Sequence, residues 1–280
     1  MGFCEEIIKR KFPTEFVFLR PAATGLDALL SERGGLENVS RQDAMIWVAD
    51  AGLNVVSCGR KFRVFSAACQ EAGVSSVLDG VTFEDLDFSE DLEKHFFPSY
   101  SEMMSYVDSL LLQIDARRED ATLLSEALVT LMWDGIPQNH IVLLDAGDVP
   151  NPNRLVLTCG GNVYPISPAS YLLTKELFDR RLAEAGADAP LFANKGNGAR
   201  WSVSNTGDKI YRLSSTPGPK EIQAAKLREN GLFCRIADYI KTHRGASVRE
   251  AAEMVSNNSQ RKTQSAVREF YHWQKYYNIS

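Results

Sequence analysis

The sequence predicts a mainly α-helical protein with a small β-hairpin, and three stretches predict it. ATLLSEALVTLMWDGI (121–136) places Leu124, Leu128, Leu131 and Met132 at helical spacing, an apolar stripe about four turns long. RLVLTCGGNVYPIS (154–167) holds two apolar runs joined across Cys159-Gly160-Gly161-Asn162, the turn chemistry of a hairpin. From Pro219 onward the chain reads as helices, with Leu227, Leu232, Ile236 and Ile240 on one face and a Ser247-to-Glu250 capping box opening the next helix.

Taken in order, GFCEEIIKRKF reads as a short helix and EFVFLRP as a short strand, with Pro13, Pro21 and Gly34-Gly35 breaking the stretch up. Ser40 caps RQDAMIWVADAG, whose Ala44, Ile46, Trp47 and Val48 are apolar. GRKFRVFSAACQEAG follows, with Phe62, Phe65 and Cys69 inward and Arg60, Lys61 and Arg63 along its first turns. These segments define a small helical domain over residues 1–80. Residues 81–98 are acidic and aromatic without regular periodicity, the pattern of an interdomain linker. A larger domain, 99–280, opens with the Ser99–Glu102 capping box and a stripe of Met103, Val107, Leu110 and Leu111.

Past the 121–136 helix, Gly135-Ile136-Pro137 ends one helix and starts the short QNHIVLLDAGDV. After the hairpin, ASYLLTKELFDRRLAEAG reads as a helix with Gly186 as its stop signal. FANKGNGARWSVSNTGDKIYRLSSTPG reads as a polar loop with short strand candidates at Ala199–Ser202 and Lys209–Leu213. It carries Lys195, Arg200, Lys209 and Arg212, cations suited to a phosphate backbone. The final helix contains Val267, Phe270, Tyr271 and Trp273.

The net charge of −5 alone speaks against a DNA-bound protein, but its distribution is uneven. Residues 81–150 carry 3 basic and 15 acidic side chains, whereas residues 151–280 carry 19 and 11. One region therefore repels phosphate and another can accept it. The five cysteines (Cys4, Cys58, Cys69, Cys159 and Cys234) are scattered with no C-x-x-C pair, which reads as reduced thiols and no metal site. No apolar run approaches the ~18 residues of a membrane span, and no signal peptide is evident, so a soluble cytoplasmic protein is expected. G-x-x-x-x-G-K-S/T, G-x-S-x-G and H-E-x-x-H are all absent, and no cofactor is implied.

The order long helix, Gly turn, short helix, hairpin resembles the start of the catalytic domain of tyrosine recombinases, the phage integrase family. The matching residues are Trp133 to Ile136, Leu143-Leu144 and Gly147-Asp148-Val149. The similarity runs on to the C-terminus and, more weakly, back to about Val39, where the small helical domain occupies the position of the family's core-binding domain. The resemblance implies an integrase catalytic-domain fold preceded by a small helical domain, with double-stranded DNA as partner.

It also implies a chemistry that can be asked for by position. Such an enzyme attacks a phosphate with a tyrosine, holds its oxygens with two arginines, and moves protons with a lysine and histidines; fixed guanidinium donors stabilise the extra negative charge of the phosphorane. Pro137 stands where the first arginine belongs, with His140 in place of the following Glu. The hairpin turn, Gly160 to Val163, has no lysine. Arg228 matches the second arginine, with Ala225 in place of its histidine, and SNNSQRKT replaces the His-rich turn. Tyr271 lies near the position of the nucleophile, with Tyr276 and Tyr277 close by. The chain is thus read as a divergent member that has lost most catalytic residues.

Three readings follow. The first is a non-catalytic, sequence-specific duplex-DNA-binding protein of phage or mobile-element origin, a transcription regulator or repressor. Its DNA contacts would be Arg60, Lys61, Arg63, Lys195, Arg200, Lys209, Arg212, Arg228, Arg261 and Lys262. The second is a divergent but active site-specific recombinase, integrating or excising DNA through Tyr271 and Arg228. The third is a scaffold that binds a protein partner through residues 84–93. Self-association as a dimer or larger assembly is compatible with each.

Overall fold

The structure, a computed structural model, describes residues 2–115, 119–194, 196–256 and 263–279. In chain order it consists of α1 (Phe3–Lys11), α2 (Phe16–Arg33), α3 (Arg41–Ala49), α4 (Val55–Ala72), α5 (Ser89–His95), α6 (Tyr100–Asp115), α7 (Glu119–Trp133), α8 (Gln138–Ile141), β1 (Val156–Cys159), β2 (Asn162–Pro165), α9 (Pro168–Ala185), α10 (Val203–Ser215), α11 (Ala224–Thr242), α12 (Val248–Val255) and α13 (Thr263–Tyr277). The mainly α class with one hairpin is as expected. Two compact units form: residues 1–92 with Arg268–Asn278, and residues 93–267 with the last two residues.

In the first unit α1, α2 and α4 pack together, with Ile8, Leu19, Ala23, Leu26, Val64 and Phe65 at their centre. The Asp27 carboxylate accepts from Cys4 N at 2.8 Å, satisfying an N–H that the first turn of α1 leaves open. Ser40 and Asp43 form the expected capping box on α3. The strand expected at EFVFLRP is instead part of α2. Leu19, Ala22, Ala23 and Leu26 recur at helical spacing and are buried, whereas Val17 and Phe18 point outward, so burial against α1 and α4 outweighs Pro21. Thr24 and Arg20 also reach Glu5 from α2, at 2.6 and 3.3 Å. On α3 the apolar face is narrower than expected, because Ile46 is exposed.

Residues 83–92 pack into this unit. Phe83, Leu86, Phe88 and Leu92 are buried, and Phe83–Asp85 forms a single 3-10 turn. The last turns of α13 complete the unit. Phe270 and Trp273 are fully buried. Glu269 Oε1 accepts from Val55 N at 2.9 Å at the start of α4, and Arg268 holds Glu84 through two bonds of 2.5 and 2.8 Å. His272 lies edge-on between Phe83 and Phe88, ring centres 5.0 and 4.9 Å away.

The Arg268 bond gives a prediction. It pulls the Glu84 carboxyl down to about 2, so its stabilisation is present above the ordinary glutamate range and is lost as pH falls through about 2. Both side chains are partly solvated (33% and 56% exposed), so the effect is modest, about 0.5–1 kcal/mol. Arg268→Gln should be less stable than the parent at pH 6 by that amount. The difference should vanish toward pH 2, as read by denaturant unfolding followed by tryptophan fluorescence.

In the second unit α7 is the central helix, packed by α6, α9 and α11. Of the expected stripe, Leu128, Leu131 and Met132 are fully buried, whereas Leu124 is only partly buried and Val129 is buried in addition. Gly135, at φ 96°, ends α7 in a conformation that other residues rarely adopt. The hairpin pairs Val156 with Pro165, Leu157 with Tyr164 and Cys159 with Asn162. Gly160 and Gly161 both have positive φ (55° and 74°), which a two-residue turn of this hand needs.

The segment 199–213 departs from expectation. Lys209–Leu213 is not a strand but part of α10, opened by a Ser202–Asn205 capping box, with Thr206, Ile210 and Leu213 buried at helical spacing. Of the other strand candidate only Arg200 makes a strand-like bridge, with Ala193. Helix α11 is anchored at its middle. Asn230, fully buried, accepts from Phe97 N at 2.6 Å and donates to Phe97 O at 2.7 Å, pairing with that segment as a neighbouring strand would.

Candidate functional site

The sequence-derived cations meet different fates. Lys195, Arg261 and Lys262 lie outside the described residues. In the first unit Lys61 is turned inward: its Nζ donates to Trp47 O at 2.5 Å and to Asp50 at 3.2 Å, and its side chain is 14% exposed. Arg63 bonds Glu15 at 2.5 Å and lies 4.0 Å over the Phe12 ring. Arg60 stacks over the exposed Phe18 ring. These groups are held by local packing, which costs freedom they would otherwise bring to a phosphate.

In the second unit Arg200 also has a structural job. It donates to Val142 O at 2.8 Å and Leu144 O at 3.1 Å and pairs with Asp145. It thereby fixes the chain leaving α8. Lys209 sits over the Trp201 ring. Arg212 is exposed on α10, beside Tyr211, which is 72% exposed. Together with Ser204 and Asp208 they form the outward polar face of α10, opposite Thr206, Ile210 and Leu213.

Arg228 is half-buried in α11. Burial pushes its pKa below the ordinary arginine value, opposed by Glu229 and by the Tyr164 hydroxyl. Tyr164 comes from β2, with its own pKa raised by burial and by Cys159 and lowered by Arg228. Its hydroxyl lies 2.6 Å from His140 Nδ1. The His140 ring rests on the hairpin turn: a Cβ at Gly160 would come within 2.9 Å of it. The fold therefore joins His140 from α8 to Tyr164 of the hairpin by a hydrogen bond, while Arg228 from α11 acts on Tyr164 electrostatically. Tyr164 was not singled out by sequence reasoning; its signal was the inward position on the hairpin's alternating face.

A second polar group lies at the end of α7. The Asp134 carboxylate accepts from Ser167 N at 3.0 Å and has Arg235 as its cationic neighbour. Burial raises its pKa, against the Ser170 and Ser167 hydrogen bonds and the Arg235 charge. Arg235 also donates to Trp133 O at 2.8 Å and packs under Gly135, whose Cβ would meet it at 3.3 Å. The guanidinium beside this Gly turn thus comes from α11, while Pro137 occupies the position just after the turn.

Tyr271 is 52% exposed and belongs to the first unit, whereas Arg228 belongs to the second. The acidic residues 84–93 are largely engaged: Glu84 with Arg268, Asp85 with Thr82, Asp87 with Ser89 and Asp91 with Leu53 N. Burial pushes the Cys58, Cys159 and Cys234 thiols up to about 12, so none is a ready thiolate. Among the described residues no three His, Cys, Asp or Glu side chains group as a metal site, and no helix is long and apolar enough to cross a membrane.

No family model and no curated protein matches this chain. Among solved structures it is similar to the integrase of the Tn1549 transposon in complex with circular intermediate DNA, at 15% identity and a TM-score of 0.43, covering 95% of each chain. A single-substitution variant of that integrase, also with circular intermediate DNA, is similar at 14% identity and a TM-score of 0.42, covering 99% of this chain and 95% of that one. A second variant, in complex with transposon right end DNA, is similar at 13% identity and a TM-score of 0.38, covering 99% of this chain and 94% of that one.

Proposed function

We propose that this chain is a sequence-specific duplex-DNA-binding protein of tyrosine-recombinase-like design that does not cleave its target, serving a phage or mobile element as a regulator or repressor. The observation that carries the reading is the outer face of α10. Ser204, Asp208, Tyr211 and Arg212 project from a helix whose other face is fixed by Thr206, Ile210 and Leu213. A helix of this kind fits a major groove, where short polar side chains and an arginine read base edges and phosphates. Arg228, with no carboxylate salt bridge within the described residues, adds a half-buried cation on α11.

The absence of cleavage rests on the missing charges. Pro137, Gly160-Gly161 and Ala225 stand where an active recombinase would place an arginine, a lysine and a histidine. Loss of one such transition-state donor costs ~10²–10³ in rate, and three are missing together. A second reading, an active recombinase, is favoured only by the exposure of Tyr271.

The test is equilibrium binding to duplex DNA over a salt series. Arg212→Gln and Arg228→Gln should each weaken binding and lower the slope of log K against log salt by about 1. Unchanged affinity and slope in both variants would contradict the reading.

A further inference from the structure

His272 sits in the first unit where the last turns of α13 meet residues 83–88, and its ring is enclosed by aromatic carbon. Phe83 and Phe88 lie 4.9 Å apart by ring centres, and the imidazole stands nearly perpendicular to both, at 5.0 and 4.9 Å. The three rings form one apolar joint. The Phe83 carbonyl accepts a hydrogen bond from the imidazole. Nε2 is shut off from solvent and has no hydrogen-bond partner, so Nδ1 is the donor and Nε2 carries the lone pair. A neutral imidazole has one place to take a second proton. Here that place is buried against groups that offer it no acceptor.

The charged groups around the joint do not rescue an imidazolium. From the 83–85 turn Glu84 favours the charged ring, but its carboxylate is held in two bonds by Arg268. Arg268 and Lys275, on α13 itself, oppose a further positive charge. Asp87 accepts from Ser89 N at 2.9 Å, Asp85 from Thr82 N at 2.8 Å, and Asp91, at the start of α5, from Leu53 N at 2.7 Å. Burial accordingly pushes the His272 pKa below the ordinary histidine value. The Glu84, Asp85 and Asp87 carboxyls lie below their ordinary values, so they stay ionised in mild acid, where His272 gains its proton.

We propose that His272 is a pH-operated latch: as a neutral imidazole it fastens the last turns of α13 to residues 83–88, and uptake of a solvent proton at Nε2 turns the ring out and releases those turns, which carry Tyr271. A histidine with a depressed folded pKa contributes stability that is complete above the free-imidazole value, ~6.5, and is lost as pH falls below it. The latch lies within the first unit and does not depend on the DNA-binding reading.

Hydrogen exchange of the full chain, followed by mass spectrometry on peptides and corrected for the intrinsic pH dependence of exchange, tests it. Between pH 7.5 and 5.5 the protection of residues 268–277 should fall severalfold, toward a ceiling of about tenfold, which one proton on a free imidazole sets one pH unit below its pKa. In His272→Phe, which fills the same space and cannot take a proton, protection should be the same at both pH values. Proton–nitrogen spectra of the parent give an independent reading: His272 should be a neutral ring protonated on Nδ1 at pH 7.5, with a titration midpoint below that of a free imidazole. Protection of 268–277 that ignores pH in the parent, or that falls equally in His272→Phe, would overturn the proposal, as would a His272 that gains its proton at or above the free value.

Discussion

Gly231→Ala is expected to destabilise the second unit by about 3 kcal/mol or more, against the usual gain from alanine in a helix. A Cβ at this position would overlap the Trp133 carbonyl oxygen, a backbone atom at the end of α7. Nothing there can yield cheaply. The carbonyl accepts from Arg235, and the Trp133 ring packs on Tyr100 with ring centres 6.1 Å apart. The methyl would therefore separate α7 from α11, the pairing at the heart of the unit, and displace Asn230 and Arg228 on the same helix. Gly207→Ala in α10 is the control: nothing lies within 4 Å of its Cβ, and it should gain about 0.5–1 kcal/mol. Urea unfolding of the two variants measures both.

Arg235→Met should cost about 1–3 kcal/mol at neutral pH, because it removes the donor to Trp133 O and the cationic neighbour of the buried Asp134 carboxylate. Asp134 is 7% exposed, and burial already raises its pKa. A carboxyl whose folded pKa is raised weakens the fold once ionised. Its penalty is absent below the unfolded pKa and complete above the folded one. The deficit of Arg235→Met should accordingly shrink as pH is lowered into the carboxylate range and grow toward neutrality. Adding Asp134→Asn should recover part of the loss at pH 7, since the uncompensated charge is then gone. A deficit equal at all pH values would contradict this electrostatic coupling.

The long apolar helices and the hairpin were legible because their signals are local: four core residues at helical spacing in α7, two adjacent glycines between apolar runs in the hairpin. Helix α2 was hidden by Pro21 and by four consecutive apolar residues, Phe16 to Leu19, of which only Leu19 is buried. Helix α10 was hidden by composition, since its inward face uses Thr206 between Asn205 and Gly207, and its identity lies in the Ser202–Asn205 cap.

The site was less legible for a physical reason. A charge reads the same in sequence whether it faces solvent or a partner. Lys61 is taken by Trp47 O and Asp50, Arg63 by Glu15, and Arg200 by Asp145 and two carbonyls 56 and 58 residues away. The His140–Tyr164 bond spans 24 residues and exists only once the hairpin closes. Asp134 and Arg235 become electrostatic neighbours only once α7 and α11 pack together.

The central claim, specific duplex binding without strand cleavage, is tested most directly by one selection. The purified chain is mixed with fragmented DNA from its own source genome, selected over competitor DNA at two salt concentrations and sequenced, and each recovered site is then incubated with the protein and denatured in detergent. A few discrete sites, weaker at higher salt, with no covalent protein–DNA adduct, is the predicted result. An adduct that disappears in Tyr271→Phe would contradict the claim and establish an active recombinase, and the absence of any enriched site would contradict it from the other side.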